Sequence, residues 1–303
     1  MVCVSVIIPC KDAQGVLPLQ LEALSRQVGA PSYEVVIADN GDYNYDRLLT
    51  GWEDAAWSQI RIADASGRRG VGWARNVGAK SAAASLLLFC DADDVVSPHF
   101  VARGVKALAA SPVFSGAALG VAAADFGGGY RYVLDKLGVD DPALLPYPLS
   151  GTDAYPILMG GAFGIHASVY EEVGGFDLSF GNAAEDNDLA FRLVRSGYPI
   201  CDAVDVRVAY RQRPVGKASF IQGFRTGRGF MMLSARHGLW SGPGKRWARW
   251  PFELGKALAT CYRLLLGETQ REAWLRRMGT ALGAAVGHFK YRFPGKPPRP
   301  DFG

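Results

Sequence analysis

Short apolar runs recur along the first third of the chain, and each ends on polar residues. Val2–Pro9, Tyr33–Ala38 and Leu86–Cys90 are rich in apolar residues and have the length of buried strands. Residues 17–24 and 73–82 lie between such runs and carry apolar or small residues at helical spacing. Strands that alternate with helices predict an α/β fold, with a doubly wound, mostly parallel sheet flanked by helices.

The pattern loosens after a predicted helix over residues 98–110. Residues 127–155 contain consecutive glycines and several prolines, which favours a long loop. An apolar run over 162–165, a helix that begins at Glu185 and a strand over Val204–Tyr210 follow. We therefore expect a first domain over residues 1–210.

The last third of the chain differs from the rest in charge. Residues 1–206 carry 14 Lys and Arg against 25 Asp and Glu, a net charge of −11, whereas residues 207–303 carry 19 against 4, a net of +15. Such an asymmetry indicates that the two parts meet different partners. We predict that residues 211–303 form a basic, helical C-terminal extension.

An apolar stripe marks one helix of this extension, with arginines between its members. The stripe consists of Trp274, Met278, Leu282, Val286 and Phe289, at three- and four-residue steps. Packing against the sheet domain is the commoner fate of such a stripe, and we favour it slightly. The alternative is a helix that lies in the plane of an anionic bilayer, which the excess positive charge would favour.

Carboxylates follow two of the predicted strands directly. Asp91, Asp93 and Asp94 come after Leu86–Cys90, and Asp39 ends the second strand. Open α/β sheets bind their ligands at the carboxyl ends of the strands. Carboxylate oxygens suit Mg²⁺ or Mn²⁺, which usually binds one or two carboxylates together with substrate phosphates. The alternatives are a helix start for the first cluster and a turn for Asp39.

Six short motifs follow one another over about residues 2–210. They are Val4-Ser5-Val6-Ile7-Ile8-Pro9, Asp39-Asn40-Gly41, Gly72-Trp73-Ala74-Arg75-Asn76-Val77-Gly78, Asp91-Ala92-Asp93-Asp94, Gly174-Gly175-Phe176-Asp177 and Glu185-Asp186. In this order they resemble family 2 glycosyltransferases. The resemblance implies the GT-A fold and inverting transfer of a sugar from a nucleotide-diphosphate sugar to an acceptor hydroxyl. It divides the first domain into a nucleotide-sugar half, about 1–110, and an acceptor half, about 111–210.

The resemblance also implies roles for particular residues. Asp186 would be the general base that takes the acceptor's proton, and Glu185 its binding or supporting partner. Asp93 would face the metal ion, Mn²⁺ or Mg²⁺, while Asp91 would face the ribose and share the metal site. The residues expected to bind the nucleotide sugar are Pro9, Lys11, Asp12, Asp39, Asn40, Arg75, Asp91, Gly160, Gly161, Arg211 and Arg213.

Several of these roles have a plain structural alternative. The acids at the start of the helix that begins at Glu185 could simply complement its dipole. Arg75 could form an ordinary salt bridge, and Gly160-Gly161 could form a turn.

Two positions depart from the family's pattern. An aromatic residue often stands at the position of Lys11, so the base of the nucleotide stays open. A histidine that binds the metal often follows the last strand, but residues 208–213 contain none. Arg211 and Arg213 could clamp the diphosphate bidentately instead.

Cysteine usage and hydropathy bear on the compartment. The five cysteines show no CxxC pair and no metal-ligand spacing, so we expect free thiols in a reducing cytoplasm. The first residues predict a strand rather than a signal peptide. No apolar run approaches the ~18 residues of a membrane span. We expect a cytoplasmic protein, with the inner face of the membrane as the alternative location.

The expected partners are a nucleotide-diphosphate sugar and an acceptor that is a glycan, a lipid-linked molecule or a small molecule. An anionic membrane surface is a further candidate. A nucleotidyltransferase is the alternative enzyme, but the glycine- and lysine-rich phosphate loop it would need after the first strand is absent. A nucleic-acid-binding protein could use the basic last third, but no motif with interleaved aromatic residues accompanies those charges.

Overall fold

The structure of the protein is a computed structural model. It describes residues 2–42, 45, 48–52, 54–138, 155–212, 217–241, 249–293 and 297–303. An eight-stranded mixed sheet forms its centre, with helices against it, which confirms the predicted α/β class.

Four parallel strands form one half of the sheet, and antiparallel pairings occur in the other half. The strands are β1 (Val4–Cys10), β2 (Tyr33–Asp39), β3 (Gln59–Asp64), β4 (Leu86–Cys90), β5 (Val95–Val96), β6 (Val113–Ala122), β7 (Ala162–His166) and β8 (Cys201–Gln212). Their order across the sheet is β3-β2-β1-β4-β7-β6-β8-β5. Strand β7 runs antiparallel to β4 and β6, whereas β6 and β8 are parallel.

Helices connect the strands and continue beyond the last one. They are α1 (Leu17–Ser25), α2 (Val71–Ser81), α3 (Phe100–Ala110), α4 (Gly129–Leu137), α5 (Ala167–Glu172), α6 (Glu185–Arg195), α7 (Lys217–His237), α8 (Trp250–Ala259) and α9 (Glu268–Gly287). No helix among the described residues is long and apolar enough to cross a membrane.

The sheet is buried on both faces, as expected for central parallel strands. Successive side chains of β1 point to opposite faces, so Val6 and Ile8 pack in one apolar cluster with Leu21 of α1. Ile7 packs in a second cluster with Phe89 of β4. Both faces are therefore covered, and the carboxyl ends of the strands remain as the place where polar side chains gather.

The long loop predicted over residues 127–155 is wrong in its first part. Residues 129–137 form helix α4, whose Tyr130, Val133 and Leu137 are buried in the core. These three residues have helical spacing, but the glycines immediately before them favoured the prediction of a loop. Residues 139–154 of the predicted loop lie outside the described part of the chain.

Helices α7 and α9 pack with almost no side chain between them. A Cβ atom at Gly227 of α7 would lie 2.1 Å from the carbonyl oxygen of Thr280, and one at Gly283 of α9 would lie 2.0 Å from that of Phe224. Only glycine permits such an approach of two backbones. The contact places α9 on α7, whereas we expected its apolar stripe to pack on the sheet.

The stripe itself is only partly buried. Met278 is buried, whereas Val286 and Phe289 are 45% and 60% exposed. The small residues Ala281 and Ala284 take the buried positions instead. Helix α9 therefore packs through its small residues and not through its large apolar ones.

Candidate active site

The carboxyl ends of β1, β2 and β4 lie side by side at one edge of the sheet. Cys10 of β1 is opposite Asp39 of β2, and Ile7 is opposite Phe89 of β4. A cavity of about 730 Å³ opens at this edge, next to helix α7. The predicted site residues that line it are Pro9, Lys11, Asp12, Arg75, Asp91, Asp93, Glu185 and Arg211. Acids that are far apart in the chain thus share one cavity.

Arg75 of α2 connects the two acidic motifs. Its side chain is 4% exposed, with Nη2 2.7 Å from Oδ1 of Asp91 and Nη1 3.9 Å from Oε1 of Glu185. Its guanidinium carbon also lies 5.2 Å from the ring centroid of Phe176, in the Gly-Gly-Phe-Asp motif. Arg75 is therefore more than a local salt-bridge partner, because its one buried cation contacts residues of three motifs.

Gly160 and Gly161 pass between the same two groups of acids. A Cβ atom at Gly161 would lie 2.8 Å from Oδ2 of Asp91, and one at Gly160 would lie 3.4 Å from Oδ2 of Asp186. Gly160 also makes a backbone hydrogen bond to the Asp186 carboxylate. The glycines therefore make room for the carboxylates, and their backbone lies against both of them.

Glu185 and Asp186 begin helix α6 after a strained residue. Ala184, just before them, has a left-handed φ of 66°, a conformation that non-glycine residues seldom adopt outside constrained sites. Burial raises the pKa of both carboxyl groups, and the neighbouring charge of Asp186 raises that of Glu185 further. The backbone N–H of Asn187 donates to Oδ1 of Asp186 at 2.8 Å and opposes the shift. Both groups hold a proton more tightly than an exposed acid, as a general base must.

Asp93 and Asp94 are held by Arg211 at the end of β8. The Arg211 backbone N–H donates to Oδ1 of Asp94 at 3.0 Å, and its Nε donates to the carbonyl oxygen of Asp93 at 2.9 Å. Its guanidinium carbon lies 3.9 Å from the ring centroid of Phe126. Burial and the charge of Asp91 raise the pKa of Asp94 to about 8.

The donor set here fits a divalent cation. Asp91 and Asp93 line the cavity from one turn, and Oδ2 of Asp94 behind them is buried without a hydrogen-bond partner. Among the described residues, no group of three or more His, Cys, Asp or Glu forms a complete metal centre. Asp91 and Asp93 would supply carboxylates, and substrate phosphates and water would complete the shell, as is common for Mg²⁺.

A smaller cavity of about 270 Å³ shares Pro9, Lys11 and Asn182 with the first one. Asn40 also lines it, but its side chain donates to the carbonyl oxygens of Ala65 and Arg68, both at 2.5 Å. It orders the loop before α2 and so shapes the wall of the cavity.

Asp39 lies just outside these two cavities. Its Oδ1 accepts a hydrogen bond from the backbone N–H of Gly41 at 3.0 Å. This contact forms the turn that was the structural alternative for Asp39 in the sequence. Burial raises its pKa. Arg213, the last expected nucleotide-sugar residue, lies outside the described part of the chain.

Helix α7 forms a wall of the large cavity that the sequence did not predict. The lining residues from this helix are Ala218, Ile221, Gln222, Arg225 and Thr226. They recur at helical spacing on one side of α7, and no short motif marks them. The basic extension therefore takes part in the cavity and does not only follow the sheet domain.

A buried hydrogen bond joins α6 to the end of α7. Nε2 of His237 lies 2.8 Å from Oδ1 of Asp188, and Nε of Arg192 lies 2.7 Å from Oδ2. Although burial opposes the shift, these two partners hold the pKa of Asp188 below its usual range. Asp188 therefore anchors the helix that carries Glu185 and Asp186, and no sequence motif pointed to His237.

Known proteins resemble this chain in sequence and in fold. Residues 5–174 match Glycosyl transferase family 2, and the protein belongs to this family. Validoxylamine A glucosyltransferase of Streptomyces hygroscopicus subsp. limoneus is 35% identical over 118 residues, or 38% of this chain and 26% of that protein. Uncharacterized glycosyltransferase YfnE of Bacillus subtilis (strain 168) is 31% identical over 105 residues, or 34% and 26%. The match thus spans about a quarter of the length of each relative.

Solved structures of low identity share the fold. Mannosyltransferase PcManGT from Pyrobaculum calidifontis, in complex with GDP-Man and Mn²⁺, has a TM-score of 0.63 at 19% identity, over 97% of this chain and 88% of that chain. GalNAc-T7 with UDP, GalNAc and Mn²⁺ has a TM-score of 0.52 at 15% identity, over 77% and 48%. These likenesses confirm the expected GT-A fold.

Proposed function

We propose that this protein is an inverting glycosyltransferase that transfers a sugar from a nucleotide-diphosphate sugar to an acceptor hydroxyl. One observation carries the proposal: Asp91 and Glu185 line the same cavity, and the buried Arg75 bridges them. Membership of family 2 supports the reaction class. Similar structures contain GDP-Man or UDP, which supports a nucleotide-bound donor.

The donor would lie along the carboxyl ends of β1 and β4. Pro9 and Lys11 line both cavities there, so the nucleoside would enter the smaller one. The diphosphate would then lie beside Asp91 and Asp93, with Arg211 on the same wall. Arginine suits this position because its planar donors match phosphate oxygens.

Asp93 and Asp91 would hold Mn²⁺ or Mg²⁺ at the diphosphate. When bound, the ion would act as a Lewis acid that stabilises charge on the departing nucleoside diphosphate. Two structures of similar fold contain Mn²⁺, which supports this assignment.

Asp186 is the proposed general base. Its carboxylate would take the proton of the acceptor hydroxyl as that oxygen bonds to the anomeric carbon. The bond from this carbon to the diphosphate oxygen would break on the opposite face, and the nucleoside diphosphate would leave with the electron pair. Glu185 lines the cavity and would bind the acceptor or support Asp186.

Substitution of the two acids separates these roles. A thermal-shift screen of nucleotide sugars with and without Mn²⁺ first identifies the donor, because a ligand of the native state stabilises it. We expect Asp186→Asn to bind that donor normally and to lose transfer by about 10²-fold or more. Asp64→Asn is the control, since Asp64 is an exposed aspartate at the end of β3 and is not among the residues that line either cavity. Near-normal turnover of Asp186→Asn together with an inactive Glu185→Gln would move the base to Glu185.

The metal assignment has its own measurement. In calorimetry, Asp93→Asn should lose Mn²⁺-dependent donor binding while its melting temperature without ligand stays near that of the wild type. Unchanged Mn²⁺ and donor affinity in this variant would show that Asp93 does not hold the ion.

A further inference from the structure

Exposed apolar side chains concentrate on the helices that follow residue 249. Of the 14 large apolar residues that are exposed in the described part of the chain, nine lie beyond residue 249. Five of these residues belong to α8 and the turn after it, namely Phe252, Leu258, Tyr262, Leu265 and Leu266, which are 62%, 58%, 55%, 89% and 46% exposed. We call these five residues the α8 surface. Soluble proteins seldom leave such a group uncovered unless it meets a partner or a membrane.

Helix α8 lies on α9 and leaves its outer side free. Ala257 is the one residue of α8 that is buried, and its carbonyl oxygen accepts from Nε1 of Trp274 at 2.7 Å. At the other end of α8, the Trp250 ring lies 6.3 Å from that of Phe289 on the segment that follows α9. The two helices are therefore antiparallel, and α8 is held by a narrow contact at both ends.

Positive charge accompanies the apolar side chains. Residues 249–293 carry eight Lys and Arg against three Glu, a net charge of +5. A groove of about 470 Å³ between α8 and α9 is lined by Arg249, Arg276 and Arg277, with the acid Glu253 beside them. Nζ of Lys256 lies 4.3 Å from the ring centroid of Phe252, so a cation stands over this exposed ring.

We propose that the α8 surface, with these basic side chains beside it, binds the interface of an anionic phospholipid bilayer. An interfacial segment needs apolar side chains that enter the acyl boundary and cations that meet the headgroups, and this segment has both. A second copy of the chain fits less well, because two surfaces of the same positive sign would repel each other. The bilayer thus meets α8, and not the stripe of α9, whose Met278 is buried.

The proposed surface is linked to the cavity through one helix pair. Helix α9 supports α8, and α7 packs on α9 through Gly227 while Ile221 and Arg225 of α7 line the cavity. Docking at α8 would hold the cavity close to the bilayer, which favours an acceptor embedded in or bound to the membrane. The acceptor class rests on the proposed function, whereas vesicle binding does not.

Sedimentation with vesicles tests the proposal on the full chain. We expect binding to vesicles of phosphatidylglycerol and phosphatidylcholine at low salt, weaker binding to phosphatidylcholine alone, and release at high salt. Leu258→Asp with Leu265→Asp should lower binding by roughly tenfold or more, since two exposed leucines no longer enter the lipid. Arg276→Gln with Arg277→Gln should lower it by roughly fivefold for each charge.

Val28→Asp is the matched control, because Val28 is 51% exposed on the sheet domain and should not affect vesicle binding. Equal melting temperatures and equal donor affinity will show that each variant is folded. Wild-type protein that ignores anionic vesicles at low salt, or an aspartate double variant that binds as well as wild type, would overturn the proposal. Sedimentation velocity without lipid tests whether a second copy of the chain covers the surface instead. If the wild type does not bind vesicles but self-associates, and the aspartate double variant does not self-associate, the surface belongs to a dimer.

Discussion

Removal of the buried cation that joins the two acidic motifs is the sharpest test of the site's electrostatics. In Arg75→Met the side chain keeps most of its apolar contact with Phe176 but loses its charge beside Asp91, Glu185 and Asp186. Loss of one partner from a buried ion pair costs about 3–5 kcal/mol. Because the Asp91 side chain is 30% exposed and can be rehydrated, we expect the low end, about 3 kcal/mol at pH 8.

The loss should depend on pH in a defined direction. The positive charge of Arg75 lowers the pKa of Glu185 and of Asp186, against the burial that raises both. Without it, both carboxyl groups hold their protons to higher pH. At pH 5 Glu185, whose pKa is raised to about 7, is largely protonated and needs no cation, so Arg75→Met should cost less stability there than at pH 8. The acid limb of the activity profile should move to higher pH for the same reason.

Arg61→Met is a matched control on the same sheet. Nε of Arg61 lies 2.9 Å from Oε2 of Glu34, which is fully buried. Although burial opposes the shift, hydrogen bonds from Arg61 and its neighbours hold the pKa of Glu34 below its usual value. Hydrogen bonds from Ser5, Gln59 and Ala83 remain in Arg61→Met and still favour the ionised form of Glu34, so the loss in this variant should change less between pH 5 and pH 8 than the loss in Arg75→Met.

Urea unfolding of wild type and both variants at the two pH values measures these differences. Equal losses at pH 5 and pH 8 in Arg75→Met would refute the coupling of Arg75 to Glu185 and Asp186. A loss in Arg61→Met that depends on pH as strongly as the loss in Arg75→Met would show that the effect is not specific to the cavity.

Two further predictions follow from the same structure. The pKa values of Glu185 and Asp186 are raised, so above the ordinary pKa range of these acids the folded state binds more protons than the unfolded state. Stability should therefore fall, and activity rise, as the pH rises through that window, which melting and turnover profiles measured in parallel will show. Glu185→Gln should flatten the melting profile. Gly283→Ala should destabilise the protein by at least ~1–3 kcal/mol, because its Cβ would collide with the backbone of α7. Gly255→Ala in α8 meets open space and should stabilise slightly. Equal melting temperatures of these two alanine variants would contradict the close backbone packing.

Much of the sheet domain could be predicted because its information is local. A strand that is buried on both faces must be an apolar run, and the residues that follow it lie at the polar edge of the sheet. Leu86–Cys90 and the acids after it can therefore be recognised without a structure. Helix α4 could not be recognised in this way. Its three core residues occupy only two turns directly after consecutive glycines, and the glycines favour a loop more strongly than so short a pattern favours a helix.

The α/β class, the order of the motifs and the acids at the strand ends could be recognised in the sequence, since each depends on residues close together in the chain. The folded chain was needed to show that Arg75 lies between Asp91 and Glu185, and that Arg225 of α7 lines the same cavity. It also decided which face of α9 is buried. The stripe of large residues predicted one face, but the backbone contacts at Gly227 and Gly283 require small residues, so the helix packs through them and its large apolar side chains stay in part exposed. The physical reason is that close packing is a property of two surfaces, and the spacing along one helix describes only one of them.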